Sequence, residues 1–347
     1  MEKETTIYDI AKVLGLSAST VSRALKGNPV INARTRAKVE ECAQTMGYRS
    51  NAFASNLRTR RTNTIGVIVP RLDSSFLSAC LAGMEEVASS EGYNLIISQS
   101  HESAKKEAQN ALTMFNSRVD GVIASLTVEN SDLSYFNRFR KSNVPVVFFD
   151  RIPSQTDSIC FSIDNEKASY EATKHLINQG CRRLIHVTIK SHLDVYNQRI
   201  AGFLKAVETL PECIGNVIYV DSLSLEGGNL AAKKIIENNN IPDGVFVAND
   251  MAAVGCMTTL KEHGYKFPDD IAMVGFNNDP VATIISPALT TINYPGREAG
   301  MLAAKKLINL LNGEKNAENT RNEILNANLV IRNSSLKKKI THKISIH

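Results

Sequence analysis

A series of ten short apolar runs, which begins at Thr64, constrains the fold of this 347-residue chain more than any other feature. The runs are bounded by Gly, Pro or Asp and separated by segments with helical periodicity. This alternation is typical of buried parallel strands in βαβ units. The predicted strands are Thr64–Val69, Tyr93–Ser98, Gly121–Ser125, Val144–Phe149, Ser158–Ile163, Leu184–Ile189, Val217–Val220, Gly244–Ala248, Ile271–Phe276 and Leu289–Ile292.

The ten strands are too many for one ordinary open sheet, and the series pauses between Asp164 and Cys181. We therefore predict an α/β core of two doubly wound parallel-sheet subdomains, with a ligand crevice between the carboxyl ends of the strands. The chain is expected to cross between them near Asp164 and Tyr294. The predicted N-subdomain is 64–163 plus 294–322, and the C-subdomain is 164–293 plus 323–334.

The first 48 residues show short helices with tight turns and no strand-like run. Thr6 and Asp9 form a capping-box pattern ahead of a helix that ends at Gly15. Ser17 then caps a second helix, and Asn32 caps a third. Helix, glycine turn and helix together predict an all-α helix-turn-helix headpiece, whose second helix enters the major groove of DNA.

The charge distribution agrees with a nucleic-acid partner for this segment. Residues 1–61 hold eleven Lys and Arg against five Asp and Glu, whereas the rest of the chain holds 29 against 30. Small polar residues and Arg23 share the exposed face of the second helix, where Arg can pair with guanine or phosphate. On pattern alone, a small helical cap with a solvated basic face remains the alternative.

Other classes of protein are disfavoured by what the sequence lacks. The longest apolar runs fall short of a membrane span, and the chain opens without the apolar segment of a secretory signal. The six cysteines form no C-x-x-C pair. We therefore expect reduced thiols, a cytoplasmic protein and no membrane partner.

No catalytic or metal-binding constellation competes with this interpretation. His101-Glu102 begins like a metalloprotease motif, but Lys105 stands where the second histidine is needed. Ser103 and Lys106 fit S-x-x-K only formally, and Gly227-Gly228 is no phosphate loop. We expect these residues to be solvated surface, with no catalytic residue, no metal and no cofactor.

Signature motifs run through the chain in a recognisable order. They include TIYDIA and TVSRAL near the N-terminus, and then IGVIVP, RIAGF, VAND, VGF and PALTT. With these motifs, the chain resembles the lactose-repressor/galactose-repressor (LacI/GalR) family of transcriptional regulators over essentially its whole length. The resemblance implies a periplasmic-binding-protein-like core, operator DNA as a partner, a small-molecule effector and a homodimer.

For DNA binding, the resemblance implies one set of contacts from the headpiece and one from a hinge helix within residues 49–63. An apolar wedge in the minor groove, here Leu57, would kink the centre of a palindromic operator. The family usually has Y-x-P-N where this chain has Tyr48-Arg49-Ser50-Asn51, so the hinge helix is expected to depend more on DNA and dimer contacts. The implied DNA-binding residues are Tyr8, Ala18, Ser19, Thr20, Ser22, Arg23, Asn32, Tyr48, Asn51 and Leu57.

For the effector, polar residues follow the ends of several predicted strands, where they can bond a small polar ligand. Asp150 and Asn249 have helix or turn capping as the alternative role, and Arg199 could be a surface cation. Many family members have Asp where this chain has Asn277, and several have an aromatic ring where it has Ser222. The implied effector-binding residues are Phe76, Leu77, Asp150, Phe161, Arg199, Ser222, Asn249 and Asn277.

The resemblance thus predicts a sequence-specific DNA-binding regulator, most simply a repressor, whose operator affinity a sugar or sugar derivative controls. Residues 335–347 would be a basic tail. The rival classes are a sugar-binding protein without a role on DNA and an α/β enzyme. The basic headpiece disfavours the first, and the missing catalytic set disfavours the second.

Overall fold

The structure, a computed structural model, describes residues 5–48, 61–129, 132–154, 156–238, 241–314 and 322–337. The chain divides into two compact units at residues 62 and 63. The predictions for Asn51, Leu57 and the rest of the hinge helix at residues 49–60 lie outside the described residues. So does most of the basic tail.

The first unit consists of three short helices, α1 (Ile7–Leu14), α2 (Ala18–Leu25) and α3 (Ala33–Thr45). The predicted caps are present, because Thr6, Ser17 and Asn32 each accept a backbone N–H in the first turn of a helix. Gly15 ends α1 in the left-handed conformation, which glycine adopts at low cost. The buried core of this unit is Ile10, Ala11, Val21, Ala24, Val39 and Ala43.

The second unit is built on two six-stranded sheets, and all ten predicted strands are present. In the first sheet, the order is β11-β5-β4-β3-β1-β2 with every pair parallel. In the second, the order is β12-β10-β9-β8-β6-β7, and only β10 and β12 pair antiparallel. The strands are β1 (Thr64–Val69), β2 (Asn94–Gln99), β3 (Gly121–Ala124), β4 (Val146–Phe149), β5 (Ile159–Ile163), β6 (Arg183–Ile189), β7 (Ile214–Val220), β8 (Gly244–Val247), β9 (Ala272–Asn277), β10 (Thr290–Asn293), β11 (Asn322–Leu325) and β12 (Asn328–Val330).

Helices follow most strands and cover the faces of both sheets, as the doubly wound pattern requires. Among the described residues, one 3₁₀ turn, Ser134–Phe136, directly precedes the helix at Asn137–Lys141. The helices are α4 (Ser75–Ser90), α5 (Ala104–Asn116), α6 (Asn137–Lys141), α7 (Asn165–Asn178), α8 (Asp194–Val207), α9 (Leu225–Glu237), α10 (Asp250–Glu262), α11 (Val281–Ile284) and α12 (Gly296–Leu311). None of the helices among the described residues is long and apolar enough to cross a membrane.

The chain passes between the two sheets three times. It leaves the first sheet after β5, returns to it after β10, and leaves again between β11 and β12. Because β11 pairs with β5, the border predicted between residues 322 and 323 falls inside β11 and moves to residues 326–327.

Two glycines bring α4 and α12 into close contact in the first subdomain. A Cβ atom on Gly83 would lie 2.1 Å from the carbonyl oxygen of Arg297. A Cβ atom on Gly300 would lie 1.9 Å from the carbonyl oxygen of Cys80. Each helix therefore presents a glycine to the backbone of the other, and neither position has room for a side chain.

The same reciprocal arrangement joins α9 and α10 in the second subdomain. A Cβ atom on Gly228 would lie 2.0 Å from the carbonyl oxygen of Ala252, and one on Gly255 would lie 2.1 Å from that of Leu225. Gly227-Gly228 thus has a packing role in the structure, at the start of α9.

Gly228→Ala should lower the free energy of unfolding by about 1–3 kcal/mol, because the new methyl group overlaps backbone atoms that cannot rotate away. This loss outweighs the gain of about 1 kcal/mol that alanine brings to a helix interior. Urea unfolding measures it, with Lys233→Ala, an exposed change on the same helix, as the control. Equal stability of the two variants would contradict the close contact.

Candidate functional site

The exposed face of α2 carries the side chains predicted to read DNA. Ser19 and Arg23 are exposed, and Ala18, Thr20 and Ser22 are half-buried at the helix surface. The hydroxyl of Ser17 lies 2.9 Å from that of Ser19 and 2.8 Å from that of Thr20, which fixes the first turn. The helix therefore presents short polar groups with one long cation in its last turn.

Three other residues of the first unit were predicted to contact DNA, namely Tyr8, Asn32 and Tyr48. Asn32 and Tyr48 also have structural roles. Tyr8 is 71% exposed, although Ile10 and Ala11 of the same helix are buried. Asn32 accepts the N–H of Thr35 at 2.8 Å, and the ring of Tyr48 packs against the small core. An exposed tyrosine ring and exposed polar caps are suited to contacts with a DNA backbone.

The second unit contains a crevice of about 1180 Å³ lined by residues from both subdomains. It lies at the carboxyl ends of the parallel strands, where small ligands bind in open α/β folds. It is lined by seven of the eight predicted effector residues, namely Phe76, Leu77, Asp150, Arg199, Ser222, Asn249 and Asn277.

Phe161 is the exception, and its predicted place in the crevice is wrong. Its ring is 1% exposed and packs in the buried core of the second unit, away from the crevice lining. Phe161 acts on the site through its backbone, since its carbonyl accepts the N–H of Asp150 at 2.8 Å.

Arg199 is a buried cation in the crevice wall. The alternative that it is a surface cation is therefore wrong. Its Nε donates to Asn165 Oδ1 at 3.0 Å, and its Nη1 donates to the carbonyl of Ala248 at 2.9 Å. The guanidinium lies 3.6 Å from the centroid of the Phe276 ring. Burial lowers the pKa of Arg199, while the neighbouring Tyr196 and Asp150 oppose that shift.

Asp150 follows β4 and has a positive φ of 59°, a conformation that is uncommon outside glycine. Burial raises the pKa of its carboxyl group, and the charges of Arg151 and Arg199 oppose that effect. A carboxylate from the first subdomain thus faces an arginine from the second. Asn249, by contrast, also has the capping role, because its Oδ1 accepts the N–H of Met251 at 2.8 Å.

The crevice residues that the sequence did not indicate include Glu102, Arg151, Tyr196 and Asp279. Glu102 was expected to be solvated surface, but it pairs with Arg151 Nη1 at 2.8 Å and is 27% exposed. The sequence could have indicated Arg151, because it directly follows Asp150 at the carboxyl end of β4. Ser103, whose S-x-x-K pattern with Lys106 was expected to have no catalytic role, has a structural one: it caps α5 by accepting the backbone N–H of Lys106.

Asp279 and Asp250 form a buried acidic pair beside Asn277. Asp250 accepts the backbone N–H of Asp279 at 2.7 Å and the hydroxyl of Thr291 at 2.7 Å. Burial raises the pKa of Asp250 to about 7 and that of Asp279 to about 6, although a bond from Asn277 opposes the second shift. A carboxylate therefore lies two residues after Asn277, the position where many family members have Asp.

Asp279→Asn should make stability less dependent on pH. The pKa of Asp279 in the folded protein, about 6, exceeds its ordinary 3.8, so the folded state keeps a proton that the unfolded state loses. Stability from this group is greatest at low pH and is lost as pH rises from about 4 through 6. We expect the variant to gain on the order of 2 kcal/mol relative to wild type between pH 4.5 and 8, measured by urea unfolding. Parallel pH profiles would contradict this assignment.

Comparison with known proteins identifies the family. The family model for bacterial regulatory proteins of the lacI family matches residues 6–51, and one for a periplasmic binding protein-like domain matches residues 173–335. Catabolite control protein A of Priestia megaterium is 31% identical over 313 residues, covering 89% of this chain and 93% of that protein. The chain belongs to the LacI family. The HTH-type transcriptional regulator RegA of Clostridium saccharobutylicum is 32% identical over 338 residues, covering 96% of this chain and 99% of that protein.

A solved structure shows the same fold over nearly the whole LacI-family chain. The lac repressor dimer bound to operator and the anti-inducer ONPF has a TM-score of 0.86 at 24% identity, covering 96% of this chain and 100% of that one. The predicted fold class is therefore confirmed. Membership of the LacI family confirms the predicted function class, a DNA-binding transcriptional regulator.

Proposed function

We propose that this LacI-family member is a repressor that binds a palindromic operator as a homodimer in the cytoplasm, with a small polar effector in its crevice. One helix-turn-helix headpiece covers only a half-site, so two-fold symmetry in the protein matches a palindrome in the DNA. No catalytic role is proposed. The DNA contacts would come from the residues on and around α2, and from Asn51 and Leu57 in a hinge helix.

The observation that carries the effector proposal is the position of Asp150 and Arg199 on opposite walls of one crevice. A ligand with several hydroxyl groups can accept from the guanidinium and donate to the carboxylate, and so bridge the two subdomains. Relatives named for sugars support this chemistry, such as the ribose operon repressor of Haemophilus influenzae, 28% identical over 335 residues. A sugar or sugar derivative is therefore the proposed class of effector.

The test has two steps, one for DNA and one for the effector. Selection from random DNA duplexes by the full chain should enrich a palindromic site, which then serves in binding assays. A thermal-shift screen of sugars and phosphosugars should identify a stabilising compound, and this compound should change operator affinity. Stabilisation by a sugar with no enriched DNA site would instead favour the rival function, a sugar-binding protein without a role on DNA.

A further inference from the structure

A tyrosine on the second subdomain lies between two arginines at the crevice. Tyr196, in α8, is 4% exposed. The guanidinium of Arg151 lies 5.6 Å from the centroid of its ring, and that of Arg199 lies 5.8 Å from it. Arg199 belongs to the same helix as Tyr196, whereas Arg151 follows β4 of the first sheet. The contact between Arg151 and Tyr196 therefore crosses the crevice.

Glu102 holds Arg151 in place from the side of the first subdomain. Nη1 of Arg151 lies 2.8 Å from both carboxylate oxygens of Glu102. Glu102 in turn accepts the backbone N–H of Val128 at 3.1 Å. The side chains of Arg151 and Glu102 are 15% and 27% exposed, so water screens this group only partly. Cation–π attraction is strongest when the cation is desolvated in this way.

We propose that Glu102, Arg151 and Tyr196 form a latch that favours the closed arrangement of the two subdomains before any effector enters the crevice. Opening the crevice would separate Arg151 from the ring and leave the hydrogen bonds of its side chain unchanged, because these go to Glu102 and to the carbonyl of Leu126 in the first subdomain. The contact therefore stabilises the closed arrangement specifically. Its energy does not depend on DNA or on a ligand.

The latch would also set how tightly an effector binds, a consequence that rests on the proposed function. If the effector binds the closed crevice, its apparent affinity is the intrinsic affinity scaled by the fraction of protein already closed. The three residues of the latch would thus tune the response through the closed fraction of the protein. A latch of average cation–π strength changes the ratio of closed to open protein about tenfold.

The chain offers a matched control for the latch. The guanidinium of Arg138 lies 5.8 Å from the centroid of the Phe115 ring, and both residues belong to the first subdomain. Arg138 and Arg151 are both half-buried. Arg138→Gln and Arg151→Gln each remove one cation–π contact, but only the second removes a contact that crosses the crevice.

The experiment measures the distance between the subdomains in the full chain without DNA or effector. Spin labels are introduced through non-natural residues at the exposed positions 141 and 233, one in each subdomain. Labelled protein is diluted with an excess of unlabelled protein, so that distances within one chain dominate. Double electron–electron resonance then gives the distribution of distances for wild type, Arg151→Gln, Tyr196→Leu, Tyr196→Phe and Arg138→Gln.

We expect Arg151→Gln and Tyr196→Leu to shift the distribution toward longer distances, with the closed-to-open ratio about tenfold lower. Tyr196→Phe keeps the ring and should resemble wild type, as should Arg138→Gln. An Arg151→Gln distribution equal to wild type would overturn the proposal. So would an equal shift in Arg138→Gln. If Tyr196→Leu does not fold, Arg151→Gln with its control still decides, and the result stands whether or not an operator or effector is found.

Discussion

Arg199→Ala should lower the free energy of unfolding by about 3–5 kcal/mol and abolish the response of operator binding to the effector. The loss of stability follows from burial. Alanine leaves the side chain of Asn165 and the carbonyl of Ala248 without their donor, and Asp150 without its opposite charge in the second subdomain. Removing one member of a buried charged group costs more than the group itself contributes.

Urea unfolding measures the first effect, and operator binding with and without the effector measures the second. Arg183→Ala serves as the control, because this arginine lies in the same subdomain with a 55% exposed side chain and should change stability by less than about 0.5 kcal/mol. Full effector response in a folded Arg199→Ala protein would show that the effector binds outside the crevice.

Arg23→Ala should reduce affinity for the operator about 5- to 150-fold, equivalent to about 1–3 kcal/mol, and relax the preference at one base pair. The side chain is exposed in the last turn of α2, with no protein core around it. Its removal should leave the headpiece folded. A guanidinium that pairs with a guanine discriminates between bases, whereas a contact with phosphate weakens binding to every sequence alike.

Fluorescence anisotropy on operator and on random duplex DNA separates the two cases. Lys38→Ala, on the exposed surface of α3, removes one positive charge as well and controls for long-range electrostatics. Equal losses on both DNAs would mean that Arg23 contacts phosphate. Unchanged binding to both would contradict the assignment of α2 as the recognition helix.

The sequence predicted the central strands because their burial on both faces leaves nearly continuous apolar runs. Edge strands have a more exposed face and give weaker runs, although the edge strands β2 and β7 were still predicted. β11 and β12 are short edge strands with polar residues, and Ile324 is 65% exposed, so no run identified them. The subdomain border was misplaced for this reason.

The rule that ligand-binding residues follow strand ends pointed to Asp150, Asn249 and Asn277, and all three line the crevice. Phe161 came from the family resemblance and not from this rule, and it lies inside β5 with its ring in the buried core. Residues brought together from distant parts of the chain were beyond the rule. Nothing local in the sequence indicates that Arg151 meets Tyr196, 45 positions later, across two subdomains.

The reciprocal glycine pairs have a mechanical consequence. Helices α4 and α12, and likewise α9 and α10, contact each other through backbone atoms, which have no alternative rotamers with which to yield. Each subdomain should then move as a rigid body, and the binding energy of a ligand should not be spent on sliding helices within it. Motion is then confined to the three connecting segments that cross between the subdomains. A small rotation at these segments should therefore move each subdomain as a rigid body, over its whole length.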